Sequence, residues 1–151
     1  MAQPPFLEGG SRRETVWLFS KGDDLPLSRN FSSGEFACHC GDRGCHMTLI
    51  HPKLVETLQT LRDRMARPLV LTSGFRCKTY NRVVGGRVRS FHTRGMAADV
   101  VCASLEDVAE LSAMALEIPW VGAVGRYPAR FFVHVDVRPR DGAGQSETWI
   151  A

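Results

Sequence analysis

No stretch of this chain holds the eighteen or so consecutive apolar residues that a membrane-crossing helix requires, which excludes a helical membrane span. The opening residues Met1-Ala2-Gln3-Pro4-Pro5-Phe6 lack the basic and apolar regions of a secretory signal, so synthesis in the cytoplasm without a signal peptide is the expectation. An excess of charge is also missing. Nineteen basic against 16 acidic residues leave +3, too little and too dispersed to mark a nucleic-acid-binding surface, and Arg12-Arg13 and Arg138-Pro139-Arg140 read as solvated positions. There is no internal repeat, low-complexity tract or long linker. A length of 151 residues with 44% hydrophobic residues is enough for one proper core and too little for two domains.

Paired CxxC knuckles are absent as well, although five cysteines are present. Cys38-His39-Cys40 and Cys45-His46 place three sulfurs and two imidazoles within nine residues, enough donors for a second, structural metal. The spacing admits two other fates: a disulfide involving Cys45 or Cys77, or reduced thiols, which a reducing cytosol favours. An odd total leaves at least one cysteine without an intramolecular partner.

What is there is concentrated mid-chain. Ser90-Phe91-His92-Thr93-Arg94-Gly95-Met96-Ala97-Ala98-Asp99 reads S-x-H-x-x-G-x-A-x-D, and a second histidine sits in the strand-like run Phe131-Phe132-Val133-His134-Val135-Asp136-Val137. A hydrolytic zinc takes three protein donors and leaves a fourth position open. His92, Asp99 and His134 supply that set. A separation of seven positions from His92 to Asp99 exceeds a helical i, i+4 pair, so the first donor belongs on a loop that folds back beside the second. Gly95 permits the tight turn at positive φ, and Ala97 and Ala98 allow close approach. Period-2 alternation puts Phe132, His134 and Asp136 on one face of their strand, and Phe131, Val133, Val135 and Val137 on the other. Taken singly, such a histidine is more often a hydrogen-bonded core residue than a ligand; the ten-residue pattern is what makes the metal reading specific.

The remaining elements predict an α+β fold, a small single domain with a central, mostly antiparallel sheet and flanking helices. Residues 1–30 mix Gly, Pro and charge without sustained periodicity and read as an irregular amino-terminal arm, leaving 31–151 as the domain that carries the metal motifs. Pro52 opens a helix to about Met65, with Leu54, Leu58, Leu61 and Met65 at helical spacing. Residues 68–72 read as a buried strand and 81–89 as a loop beside the metal. Ser104 with Asp107 caps a helix whose apolar side is Leu105, Val108, Leu111 and Leu116, and Pro119 stops it. Residues 121–125 and 131–137 are adjacent strands joined by a turn at 127–130. Residues 142–144 read as mobile.

These motifs, together with Thr72-Ser73-Gly74-Phe75-Arg76-Cys77, Tyr80-Asn81 and Gly125-Arg126-Tyr127-Pro128, resemble the zinc D-Ala-D-Ala carboxypeptidases and related murein endopeptidases, grouped with lysostaphin-type enzymes and hedgehog amino-terminal domains. The resemblance covers roughly residues 31–138 and keeps the order of motifs. It implies a hedgehog/DD-peptidase-like fold, a Zn2+ on His92, Asp99 and His134, and stem peptides of peptidoglycan as substrate. Arg76 is then expected to stabilise the oxyanion or hold a substrate carboxylate, and Ser90 to lie near the substrate backbone. An arginine paired with a local carboxylate is the structural alternative for Arg76. A peptidoglycan enzyme without a signal peptide would reach the wall or periplasm after release or export, as a phage lysin or a secreted effector. In one respect the chain departs from the pattern: many members place Glu or Asp three residues before the third ligand, where this chain has Phe131. The general base must then be sought at Asp136, acting through one water, or at loop acids such as Asp141 or Glu147; Asp136 alternatively orients a histidine. The rival to an enzyme is a non-catalytic, zinc-containing cell-wall or protein binding module.

Overall fold

A computed structural model describes residues 6–9 and 14–151. Among the described residues, eight strands fall into two sheets. β1 (Phe6–Gly9), β2 (Glu14–Ser20) and β3 (Met47–Ile50) form a small antiparallel sheet in sequence order. The main sheet has the order β4-β5-β7-β6-β8, built from β4 (Leu71–Ser73), β5 (Ala97–Val101), β6 (Ala123–Tyr127), β7 (Phe132–Asp136) and β8 (Glu147–Ile150). Every pairing is antiparallel except β6 with β8. The α+β expectation holds, with a mostly antiparallel central sheet and flanking helices.

Helix α1 (Pro52–Met65) starts where proline lacks a hydrogen bond to lose, and His51 Nδ1 caps it by accepting from Lys53 N at 3.1 Å. Its leucines at positions 54, 58 and 61 are fully buried. Helix α3 (Leu105–Leu116) is capped by Ser104, whose Oγ accepts from Asp107 N at 3.1 Å. Of its predicted apolar side, Val108 and Leu111 are buried, whereas Leu105 and Leu116 at the two ends face solvent. The two helices pack on each other, and α3 covers β6 and β7. Val100, Val124, Val133 and Val135 from the sheet join them in one core.

The same alternation that points those valines at the helices points Asp99, His134 and Asp136 to the opposite face. One row of paired positions crosses the whole sheet there: Ser73 opposite Asp99, Asp99 opposite His134, His134 opposite Gly125, and Gly125 beside Trp149. The candidate site is assembled on this row, on strands that lock its backbone.

Several local expectations are corrected. The amino-terminal 30 residues are not an irregular arm, since β1 and β2 lie within them; β2 pairs residue by residue with β3, and its Phe19 is buried in the core. Residues 1–5 and 10–13 of that arm lie outside the described residues. The 81–89 loop begins as the end of a short helix, α2 (Lys78–Val83), started by Cys77, whose Sγ accepts from Tyr80 N at 3.4 Å. Phe131 is not in β7 but in the turn before it, at φ 52°, and is 45% exposed. The segment at 142–144 is a hydrogen-bonded turn, with Gly144 N donating to Asp141 O at 2.9 Å, and it leads into an unpredicted strand, β8.

Candidate active site

His92 is carried by a single 3-10 turn (Phe91–Arg94) that Ser90 caps, its Oγ accepting from His92 N at 3.3 Å. Gly95 ends this turn at φ 70°, and a Cβ there would stand 2.4 Å from the carbonyl oxygen of Leu49. Only glycine satisfies both the left-handed backbone and the approach of β3, so the chain reverses here and enters β5 with Asp99 facing His92. The turn that the glycine spacing predicts is the one observed.

His92 Nε2 lies 3.2 Å and His134 Nδ1 3.0 Å from the same oxygen, Asp99 Oδ1. The other nitrogen of each ring is committed. His92 Nδ1 stands 2.7 Å from the carbonyl oxygen of Gly74, which can only accept, so Nδ1 carries the proton. His134 Nε2 stands 2.9 Å from Asp136 Oδ2 and donates to that carboxylate. A neutral His92 and a neutral His134 therefore both aim lone pairs at a carboxylate oxygen. Three acceptors converging on one point repel unless a cation sits between them. The alternative, two imidazolium ions with ring centroids 5.0 Å apart among buried side chains, costs desolvation and like-charge repulsion together.

Distances fit zinc in particular. With zinc to nitrogen or oxygen bonds of about 2.0–2.2 Å, donors at tetrahedral corners lie about 3.3–3.6 Å apart. The donor atoms of His92, Asp99 and His134 all lie within 4.8 Å of one another, with the two contacts to Asp99 already near that spacing. Electrostatics agree. Burial pushes the Asp99 pKa up, but positive charge on the His134 and His92 side of it prevails and holds this carboxyl well below the usual range. Burial likewise opposes charge on His134, yet Asp136 and Asp99 together raise its pKa, so that without a cation between the donors the site draws in a proton in its place. The pair of carboxylates creates the negative field into which a dication fits.

Asp136 is fully buried and held on every side: His134 donates to Oδ2, Arg138 N and Nε reach Oδ1, at 3.1 and 2.8 Å, and Arg138 Nη2 reaches Oδ2 at 2.6 Å. Burial raises its pKa, but His134 and Arg138 prevail and keep it lowered. Asp136 thus sits behind His134, orienting it, and not on the open side. The other acids considered stay remote. Glu147 pairs with Arg138 at 2.6 Å, and Asp141 Oδ1 accepts from Ala143 N and Gln145 N of its own turn.

The open side is a cleft of about 520 Å³. His92, Asp99 and His134 lie on its lining, together with the segment 84–87, Arg89 and Ser90, and the aromatic rings of Tyr127, Phe132 and Trp149. Tyr127 and Phe132 stack at 4.2 Å, and Trp149 Nε1 donates to Tyr127 Oη at 3.0 Å. The indole fits because residue 125 is glycine: a Cβ there would lie 2.3 Å from it. It rests 5.2 Å from the His134 ring. Five arginines line the cleft, at positions 76, 87, 89, 130 and 138, while Asp99 is the sole carboxylate on its lining among the described residues.

Arg76 makes the ion pair weighed for it from the sequence while also facing the open side. It lines the cleft, and its Nη2 also pairs with Asp99 Oδ2 at 3.0 Å. Nε donates to Ser73 Oγ at 2.8 Å and Nη1 to Asn81 Oδ1 at 3.3 Å, so the guanidinium is fixed in plane. Ser90 lies on the same lining. Sequence reasoning brought together His92, Asp99, His134, Asp136, Arg76 and Ser90, and the structure gathers all six. It missed Asn81, Arg138 and Trp149. The Arg138 signal was available, two residues after Asp136 on the same strand direction; that of Trp149 was not, since β8 follows a glycine-rich turn.

A family model for peptidase M15 matches residues 29–136, most of the chain and every residue of the cross-sheet row except Trp149. The chain belongs to the peptidase M15 family. Its members are zinc D-Ala-D-Ala carboxypeptidase-like peptidases, and the metal dependence of the M15 family agrees with the donor set found here. Among curated proteins, none matches the chain. No helix among the described residues is long and apolar enough to cross a membrane.

Proposed function

We propose that this M15 peptidase uses one zinc, held by His92, Asp99 and His134, to hydrolyse a peptide bond in the stem or cross-link of bacterial peptidoglycan. The observation that carries the reading is the pair of inward lone pairs, His92 Nε2 and His134 Nδ1, facing one oxygen of Asp99 on the lining of a cleft rich in arginine. A zinc held by these three residues would supply Lewis-acid chemistry, polarising a carbonyl and making a water nucleophilic near neutral pH.

The chain's own residues do the rest. Asp136 holds the Nε2 proton of His134 and, through it, keeps Nδ1 a donor of electron density. Arg76 presents a fixed positive charge beside Asp99, where negative charge develops on the scissile carbonyl oxygen, and its three partners mean that little reorganisation accompanies the reaction. Ser90 uses its oxygen lone pair for the His92 backbone, leaving the hydroxyl proton to donate to a substrate carbonyl. Arg87, Arg89 and Arg130, exposed at the rim, suit the free carboxylates that stem peptides carry. Action on the wall follows release or export from the cell that makes the protein, as a lysin or an effector does.

Zinc-loaded protein incubated with purified sacculi and with soluble muropeptides should yield new products by mass spectrometry, and their masses distinguish loss of a terminal D-Ala from cleavage of a stem or cross-link. A His134→Ala protein that digests sacculi at the wild-type rate would overturn the mechanism. A second reading, a zinc-containing binding module without turnover, is favoured by one observation: among the described residues, the cleft lining offers no carboxylate besides Asp99 to take a proton. Stoichiometric metal with no product from any wall chemotype, and retention of the protein on sacculi, would select that reading.

A further inference from the structure

A second cluster lies apart from this site and plays no part in the reaction proposed for it. Cys38 and Cys40 follow the 3-10 turn Ser33–Phe36, Cys45 precedes β3, and Cys77 stands at the junction of β4 and α2, yet their sulfurs all lie within 4.8 Å of one another. His39 and His46, the two imidazoles adjacent in sequence, are not among these donors; Cys77, brought in by the fold from 32 positions after Cys45, takes the fourth corner.

We infer that Cys38, Cys40, Cys45 and Cys77 form a tetrathiolate site for a structural zinc ion. Four sulfurs at about 2.3 Å from a common zinc stand about 3.8 Å apart along each tetrahedral edge. Cys77 Sγ and Cys40 Sγ are 3.8 Å apart. A disulfide requires about 2.05 Å, so this pair is at the spacing of co-ligands and not of bonded sulfurs. The hydrogen bonding is that of thiolates. Cys77 N donates to Cys38 Sγ at 3.3 Å, Tyr80 N to Cys77 Sγ at 3.4 Å, and the Lys21 ammonium approaches Cys40 Sγ at 3.5 Å while anchored on the Cys40 carbonyl at 3.0 Å. Three donors aimed at sulfur compensate the negative charge that four thiolates leave around one dication.

Thiols this close cannot all ionise against one another; a dication among them removes the conflict. Cys102, the fifth cysteine, is buried elsewhere in the core and takes no part.

The ion would tie three segments together: the loop after the 3-10 turn, the entry to β3, and the start of α2. Cys77 directly follows Arg76, so the clamp also fixes the backbone from which that guanidinium reaches Asp99. The site is structural, since four protein donors leave no open position.

The test separates this site from the peptidase centre by removing the latter's imidazoles. The doubly substituted His92→Ala, His134→Ala protein, purified reduced and loaded with zinc, should retain one zinc per chain, released when p-hydroxymercuribenzoate titrates the thiols. Cobalt(II) in its place should give intense thiolate-to-cobalt charge-transfer absorption in the near ultraviolet. Adding Cys77→Ser should weaken retention by about 100-fold or more, and Cys102→Ser should leave it unchanged. Should the double variant not fold, wild-type protein provides the same decision: zinc should protect four of its five thiols from alkylation. Zinc-independent alkylation of all four clustered thiols, or disulfides among them detected by mass, would overturn the proposal while leaving the peptidase reading intact.

Discussion

His134 gives its Nε2 proton to Asp136 at 2.9 Å, and that contact decides which nitrogen faces Asp99. Asp136 in turn is locked by Arg138 through three hydrogen bonds from the side chain and one from the backbone. The chain of contacts therefore runs Arg138, Asp136, His134, metal position, with the base strength of His134 set from behind. Replacing Asp136 by asparagine keeps the shape but removes the carboxylate. Zinc affinity should fall by about 10- to 100-fold, measured by competition with a chromogenic chelator. Activity should return when zinc is supplied in excess. Were Asp136 instead the base that takes the water's proton, excess zinc would not restore turnover.

Gly95 is a second point at which the site depends on backbone. The left-handed φ of 70° is strained for any other residue, and a methyl group would press on the Leu49 carbonyl. Gly95→Ala is expected to cost about 1–3 kcal/mol in urea unfolding of the metal-free protein. Because the turn carries His92, zinc binding should weaken as well. Unfolding that matches wild type, with full zinc content, would mean that β3 yields readily and that the turn is not the determinant argued here.

How far these features were legible in the sequence follows from the range of the interactions behind them. His92, Gly95 and Asp99 lie within eight consecutive residues, and His134 and Asp136 share a strand face by alternation, so local rules reach them. Helices α1 and α3 announce themselves through Pro52 and Ser104, which act within one turn. β2 does not, because Val16, Trp17, Leu18 and Phe19 are apolar in an unbroken run, so alternation is hidden, and its partner β3 begins 27 residues after it ends. The same holds for Cys77, whose co-ligands are more than thirty positions away, and for Trp149, placed over Gly125 by a parallel pairing that no turn motif signals. Phe131 was read as the residue standing where an acid belongs; in the fold it sits in the turn before β7, off the cleft lining, with its left-handed backbone conformation ending the preceding 3-10 turn.

Away from both clusters, Asp107 ties the start of α3 to Arg67, 2.6 Å away, at the end of the α1 connection. The Arg67 hydrogen bond, with a further one from Ala103 N, lowers the Asp107 pKa against the opposing effect of burial. A carboxylate whose folded pKa lies below its unfolded value contributes stability above the unfolded pKa, about 4, and loses that contribution as pH falls through the folded pKa. Asp107→Asn removes it at every pH. The stability gap between wild type and variant, measured by urea unfolding in chelator to keep both metal-free, should be widest near neutral pH and narrow below about pH 4. A gap that stays the same from neutral pH down to about pH 3 would assign the loss to something other than the carboxylate charge.

The arginines of the cleft divide into two kinds, and kinetics should separate them. Arg76 is fixed by Ser73, Asn81 and Asp99, so its charge is already in place when the carbonyl oxygen becomes negative. Lysine at this position keeps the charge but cannot hold three partners in one plane, and Arg76→Lys should lower kcat by about 100-fold with KM little changed. Arg87 and Arg89 are exposed at the rim, where each contributes attraction worth about 1 kcal/mol to a substrate carboxylate. Replacing either by alanine should raise KM about 5-fold on muropeptides, leave kcat in place, and reduce the salt dependence of kcat/KM. A kcat loss confined to the rim variants, with Arg76→Lys fully active, would move the oxyanion charge to the rim. Zinc content measured on each variant guards the distinction, since Arg76 also braces Asp99 and a loss of kcat counts against it only where the metal is still bound.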